Sequence, residues 1–207
     1  MPKPLTWVSL SDPAFPSSLV RHLGDKSPKR IAAIGNLDLV NSKAVALICS
    51  VKCPGTIILQ TYDIARKLRE AGVPVIGGFH SPMERECLRI LLRGNQPLII
   101  CPARSLDEIR LPKEYKKPLD QGRLLLLSPF SDKLRRATVQ TSLYRNRFVA
   151  ALAECLFVPY AAPSGKTEQL CSDFLARGKR LYTLECDANL HLTALGAQPI
   201  PFFLNFR

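Results

Sequence analysis

Four short stretches of this chain hold residues able to grip an anion. In Cys49-Ser50-Val51-Lys52-Cys53-Pro54-Gly55-Thr56, a turn of small residues with the Ser50 hydroxyl and the Lys52 cation leads into a helix-period segment. Helix N-termini present free amides and a positive dipole end, which suit phosphate. Gly77-Gly78-Phe79-His80-Ser81-Pro82 pairs two glycines, which permit close backbone approach, with His80 and an N-capping serine. Arg145-Asn146-Arg147 offers two guanidinium forks for bidentate phosphate contact and an amide that can bond backbone or base edges, with Lys133, Arg135 and Arg136 upstream. Pro163-Ser164-Gly165-Lys166-Thr167 enters a further helix with hydroxyls, a glycine and a lysine at its positive end. Each stretch also has a plainer reading: an ordinary strand-to-helix turn, a solvated basic helix face, or N-capping by serine or threonine with Glu168.

What these residues do not form is equally informative. There is no G-x-G-x-x-G or Walker loop, and no G-x-S-x-G elbow. The three histidines, His22, His80 and His191, stand in unrelated contexts, and no second histidine or cysteine lies at metal spacing from His80. No catalytic residue, metal or cofactor is therefore expected; His80 suits capping or stacking, and the pattern favours binding over catalysis.

The elements that must position these residues follow from hydrophobic periodicity. Apolar runs predict strands at Ala44 to Cys49, Val73 to Gly77, Leu98 to Cys101, Leu124 to Leu127, Leu156 to Tyr160 and Leu181 to Leu184. Helical spacing predicts helices over Thr56 to Ala71, Pro82 to Leu92, Val139 to Glu154 and Thr167 to Ala176. This alternation is the signature of a doubly wound α/β fold with a mostly parallel sheet, whose ligands bind where loops leave the carboxyl ends of the strands. Ala103 to Gly122, rich in proline and lysine, reads as a long loop with room for one helical turn.

Residues 1–40, broken by five prolines, read as an N-terminal extension packing on a core domain at 41–207, with a short helix near Phe15 to Leu23. The apolar tail Pro199-Ile200-Pro201-Phe202-Phe203 is expected to dock on a neighbouring surface and leaves room for a homodimer. The net charge of +12, from 29 basic against 17 acidic residues, points to nucleic acid or a phosphorylated ligand. With 46% hydrophobic and 22% charged residues the chain is ordinary for a folded protein. No run approaches the ~18 to 20 apolar residues of a membrane helix, and Met1-Pro2-Lys3-Pro4-Leu5 lacks the apolar stretch of a secretory signal. A cytoplasmic protein without membrane contact is expected. The seven cysteines, an odd number spread over strand and helix patterns, are expected to stay reduced.

Taken in order, G-G-F-H-S-P, R-N-R-F-V-A-A-L and S-G-K-T before G-K-R-L-Y-T-L resemble the Rossmann-like core of the DprA/Smf family, from about Phe15 to Ile200. That family reads roughly V-A-I-V-G-S-R, S-G-L-A-x-G-I-D, R-N-R-I-I-A-G-L and S-G-S-L-I-T-A at these places. The resemblance implies a protein that binds single-stranded DNA in recombination or transformation, with a recombinase as a further partner. It implies that Ser50, Gly78, Arg145, Asn146, Arg147, Ser164 and Gly165 line a DNA pocket or hold its shape. The departures are Cys49 for a glycine, Val51-Lys52 for an arginine, and Phe79 to Pro82 in place of most of the second motif. A contracted echo of the P-G-G-x-G-T-x-x-E motif in Pro163 to Glu168 resembles the related LOG-like phosphoribohydrolases. A nucleotide-cleaving enzyme dependent on Glu168, or a nucleotide sensor, is the alternative. Phe79 and Tyr144 are the aromatics expected to stack bases.

Overall fold

The computed structural model describes residues 4–131 and 134–200. Lys133 and the tail from Pro201 onward lie outside the described residues. The elements run β1 (Thr6–Ser9), α1 (Ser17–Leu23), β2 (Arg30–Gly35), β3 (Val45–Leu47), α2 (Gly55–Glu70), β4 (Val75–Gly77), α3 (Pro82–Leu92), β5 (Leu98–Ile100), α4 (Lys116–Asp120), β6 (Leu124–Ser128), α5 (Val139–Leu152), β7 (Cys155–Phe157), α6 (Lys166–Leu175), β8 (Arg180–Thr183), α7 (Leu190–Ala194) and β9 (Gln198–Pro199).

The strands form one sheet in the order β1-β2-β6-β5-β4-β3-β7-β8-β9. From β6 through β9 every neighbour is parallel, while β1 and β2 pair antiparallel with each other and β2 with β6. Because the parallel strands are covered on both faces, they read as unbroken apolar runs whose alternate residues serve two cores. In β6, Leu124 and Leu126 pack beneath α2 and α3 with Ile57, Leu68, Met83 and Leu91. Leu125 and Leu127 of the same strand face the opposite layer with Leu19, Phe148, Cys171 and Phe174 from α1, α5 and α6. The expected doubly wound fold is present, with all six expected strands in it.

Three strands were not legible. β1 and β9 are four and two residues long, and β9 carries Pro199, tolerated at a sheet edge. β2, Arg-Ile-Ala-Ala-Ile-Gly, is rich in alanine, a weak strand former. The first forty residues thus supply α1 to one face and two strands to one edge of the same sheet. Of the tail, Ile200 donates its amide to the Thr183 carbonyl at 2.9 Å.

Two details aim the helices. Ser81 and Glu84 form a reciprocal capping box at the start of α3, and Thr138 and Thr141 do the same for α5. At the other end of α5, Lys179 donates to the Ala153 and Ala151 carbonyls, setting a cation on the negative end of the helix. The order in which strands are added reverses between the parallel neighbours β3 and β7: successive strands run to one side through β4, β5 and β6, then to the other through β8 and β9. The loops leaving β3 and β7 part company there, and the crevice between them is where ligands of such sheets bind.

Candidate functional site

A cleft of about 740 Å³ opens at that switch point, within the usual range for small-ligand sites. Its walls come from the loops after β3, β4 and β7 and from the first turns of α5 and α6. Ser50 ties two walls together: its Oγ accepts from the Ala162 amide at 3.0 Å, and its own amide donates to the Tyr160 carbonyl at 3.1 Å.

The turn after β4 binds an anion that belongs to the chain itself. The buried Glu84 carboxylate accepts from the Cys49, His80 and Ser81 amides at 2.9, 2.9 and 3.0 Å. The position where the glycine turn was expected to admit a ligand is therefore filled by a side chain of α3, which also fixes the loop after β3. The Ser-x-x-Glu spacing of Ser81 and Glu84 is the sequence signal for it.

Arg145 forms the floor. It is buried, donates from Nη1 to the Cys101 carbonyl at 3.0 Å and from Nε to Asn146 Oδ1 at 2.8 Å, and still lines the cleft. Burial pulls its pKa down, while the Glu84 carboxylate beside it favours the charged form. The guanidinium sits over Gly78, where no side chain would fit. Gly77 ends β4 beneath the site, its carbonyl accepting from the Cys101 amide at 2.8 Å.

Among the residues singled out in sequence, Ser50, Lys52, His80, Arg145, Asn146, Gly165, Lys166 and Thr167 line this one cleft. Gly77 and Gly78 lie behind it. Ser164, at φ 56°, shapes the turn before α6 without joining the lining. Arg147 does not reach the cleft: two residues on from Arg145, it points to another side of α5 and pairs with Asp173 on α6 at 2.8 Å. Phe79 is buried, with its ring in the core and φ at 47°, so the expected stacking surface is absent there. Tyr144 is half-buried, its hydroxyl donating to the Lys26 carbonyl at 2.8 Å and its ring edge-on to Phe130. Val51, Glu84, Thr138 and Val139 join the lining without having been singled out for it.

The three helix N-termini at the cleft differ. Capping boxes close α3 and α5, but no side chain caps α6, whose N-cap is Gly165. Glu168 instead accepts from the Ser164 amide and stands 3.9 Å from His191 Nε2, outside the lining. No cluster of metal-binding type occurs among the described residues, and no helix among them is long and apolar enough to cross a membrane. All seven cysteines are free thiols.

A doubly wound sheet with a basic cleft at its switch point defines the class: α/β proteins that carry a ligand site at the carboxyl edge of a parallel sheet. Within that class, the profile of the DNA recombination-mediator protein A family matches residues 6–189, and the chain belongs to that family. DNA processing protein A from Streptococcus pneumoniae superimposes with a TM-score of 0.78 at 20% identity, over 94% of this chain and 70% of that one. DNA processing protein A from Helicobacter pylori, solved in a study of its single-stranded DNA binding mode, gives 0.76 at 22% identity over 100% and 96%. The molybdenum cofactor carrier protein of Chlamydomonas reinhardtii shares the fold more distantly, with a TM-score of 0.51 at 11% identity over 75% and 86%. No curated protein matches the chain in sequence.

Proposed function

We propose that the cleft binds single-stranded DNA as part of DNA processing in recombination or transformation; the family is named for mediating DNA recombination, and its Helicobacter pylori member was studied for its single-stranded DNA binding. One observation carries the reading. The uncapped N-terminus of α6 opens on the same cleft as Lys52, Lys166 and the buried Arg145, so amide donors and three cations line one cleft, a combination suited to phosphate. All lining residues fall within 41–207, which we take as the binding unit. In this reading the protein works in the cytoplasm, with a recombinase or a second copy of the chain as protein partner.

Fluorescence anisotropy with a labelled oligonucleotide tests it. Binding is expected at low salt and falls steeply as salt rises, because phosphate contacts release counterions. Lys52→Ala with Lys166→Ala, both exposed, should weaken binding and flatten the salt slope by up to about two units. Arg147→Ala, outside the cleft, should change little. No binding at low salt sinks the proposal. The nucleotide-cleaving alternative draws no support from Glu168, whose carboxylate is engaged with Ser164 and His191 away from the lining.

A further inference from the structure

Of the seven cysteines, only Cys53 and Cys186 escape full burial. Cys53 stands directly before the N-cap of α2, at the end of the loop that leaves β3, and no side chain caps that helix. The positive end of a helix favours a thiolate over a thiol. Four residues back in the same loop, Cys49 is buried and lines the cleft. The two side chains meet: the Cys49 thiol donates a hydrogen bond to the Cys53 sulfur. That bond holds the Cys53 pKa below the ordinary thiol value, against the opposing pull of burial.

The other thiols are placed differently. Cys87 is buried and donates to Met83 Sδ at 3.5 Å. Cys101, Cys155 and Cys171 are buried as well, and burial raises the pKa of each. Cys53 and Cys49 thus combine an accessible, acidified sulfur with a second sulfur in contact with it. Thiolate character and access are what select a cysteine for oxidation, and a neighbouring thiol is what resolves the product.

We infer that Cys53 and Cys49 form a hydroperoxide-reactive pair that closes a reversible disulfide across Ser50, Val51 and Lys52 at the wall of the cleft. Cys53 attacks and Cys49 resolves. The Cys53 thiolate gives an electron pair to one oxygen of hydrogen peroxide: an S–O bond forms and the O–O bond breaks. The departing hydroxide leaves as water with a solvent proton, and Cys53 becomes a sulfenic acid. The Cys49 sulfur then attacks Cys53, forming the S–S bond and breaking the S–O bond, and the second hydroxide leaves as water with the Cys49 proton. Two thiols and one peroxide become one disulfide and two waters, the sulfurs losing the two electrons that the peroxide gains. A small dithiol reverses the change by exchange. Nothing in the inference depends on the ligand of the cleft, so it and the DNA-binding reading fall separately.

The test treats the reduced protein with hydrogen peroxide, blocks the remaining thiols with N-ethylmaleimide in denaturant and digests with trypsin. Lys52 lies between the two cysteines, so cleavage leaves them on separate peptides, residues 44–52 and 53–66, held together only by a disulfide. Mass spectrometry is expected to find that linked pair, released by dithiothreitol, at a dose that leaves Cys186, the other partly exposed thiol, free. Cys53→Ser should leave Cys49 unmodified at the same dose, and Cys49→Ser should leave a sulfenic acid on Cys53 that dimedone captures. The unaltered chain decides the matter even where a variant does not fold. Recovery of Cys49 and Cys53 as maleimide adducts, loss of Cys186 as fast as Cys53, or a link from Cys53 to Cys87, to Cys186 or to a second chain in place of Cys49 overturns the inference.

Discussion

The Arg145 guanidinium occupies the space that a side chain at residue 78 would need: a Cβ on Gly78 would lie 1.5 Å from Nη1 and 1.9 Å from Cζ. The glycine is kept for a neighbour's side chain. Gly78→Ala must therefore push the guanidinium off the Cys101 carbonyl, and the expected loss is about 1 to 3 kcal/mol, typical of overpacking. Urea denaturation measures it. Arg145→Ala vacates the space, so the alanine at 78 should cost distinctly less in that background; equal costs in both would place the strain elsewhere.

Glu84→Gln should be among the costlier single substitutions. The carboxylate accepts three amides and is the opposite charge beside buried Arg145. A glutamine brings one acceptor oxygen and two unwanted donors, so at least one amide loses its partner. Roughly 2 to 4 kcal/mol of stability is expected to go, read from denaturation midpoints. Glu86→Gln, on the exposed side of the same helix with Arg89 as its partner, should shift stability by less than about 0.5 kcal/mol.

Cys53 should be the most readily alkylated thiol when compared with the five buried ones. A hydrogen bond from the Cys49 thiol pulls its pKa below the ordinary value, and the thiolate is the nucleophile. The same hydrogen bond, with burial, drives Cys49 upward. Burial pushes Cys87, Cys101 and Cys171 up to about 12 and Cys155 to about 11. Timed iodoacetamide labelling with peptide mass spectrometry at neutral pH should find Cys53 modified before Cys49, Cys87, Cys101, Cys155 and Cys171, which react only when the chain unfolds.

Acid should weaken the fold through His22. Burial first, then Lys179, Arg21 and Arg177, hold its pKa below the model-peptide value of 6.5. The unfolded chain then takes up a proton before the folded one does, so this contribution is complete above 6.5 and declines as pH falls from there toward the folded value. Thermal melts at about pH 7.5 and about pH 5.5 should show a drop that His22→Gln reduces. An equal drop in the variant would assign the acid sensitivity to other groups.

The sequence revealed the strands that are buried on both faces, since their apolar runs are unbroken, and it gave the bounds of α3, where Ser81, Pro82 and the reach of Glu84 mark the start. It hid β2, whose alanines pack well but carry little strand preference. The site was legible as a set of loops but not as a geometry. Arg145 and Arg147 look equivalent when read along the chain, yet a helix turns them to different neighbours, one to the cleft floor and one to Asp173. Phe79, after two glycines, looked like a surface aromatic; the left-handed backbone at that residue turns its ring into the core. Nothing in the local sequence foretells that turn, because the packing that holds it comes from other segments.

The bond from the Ala162 amide to Ser50 Oγ spans 112 residues of chain. During refolding, the β4–α3–β5 stretch can order itself from local contacts, but the two walls joined by that bond stay apart until β7 has docked beside β3. Such distant pairings pay their loop-closure entropy first and are slow to form. Recovery of ligand affinity should therefore trail recovery of helical signal, and a chain released from synthesis before Ala162 emerges has strands and helices but no cleft.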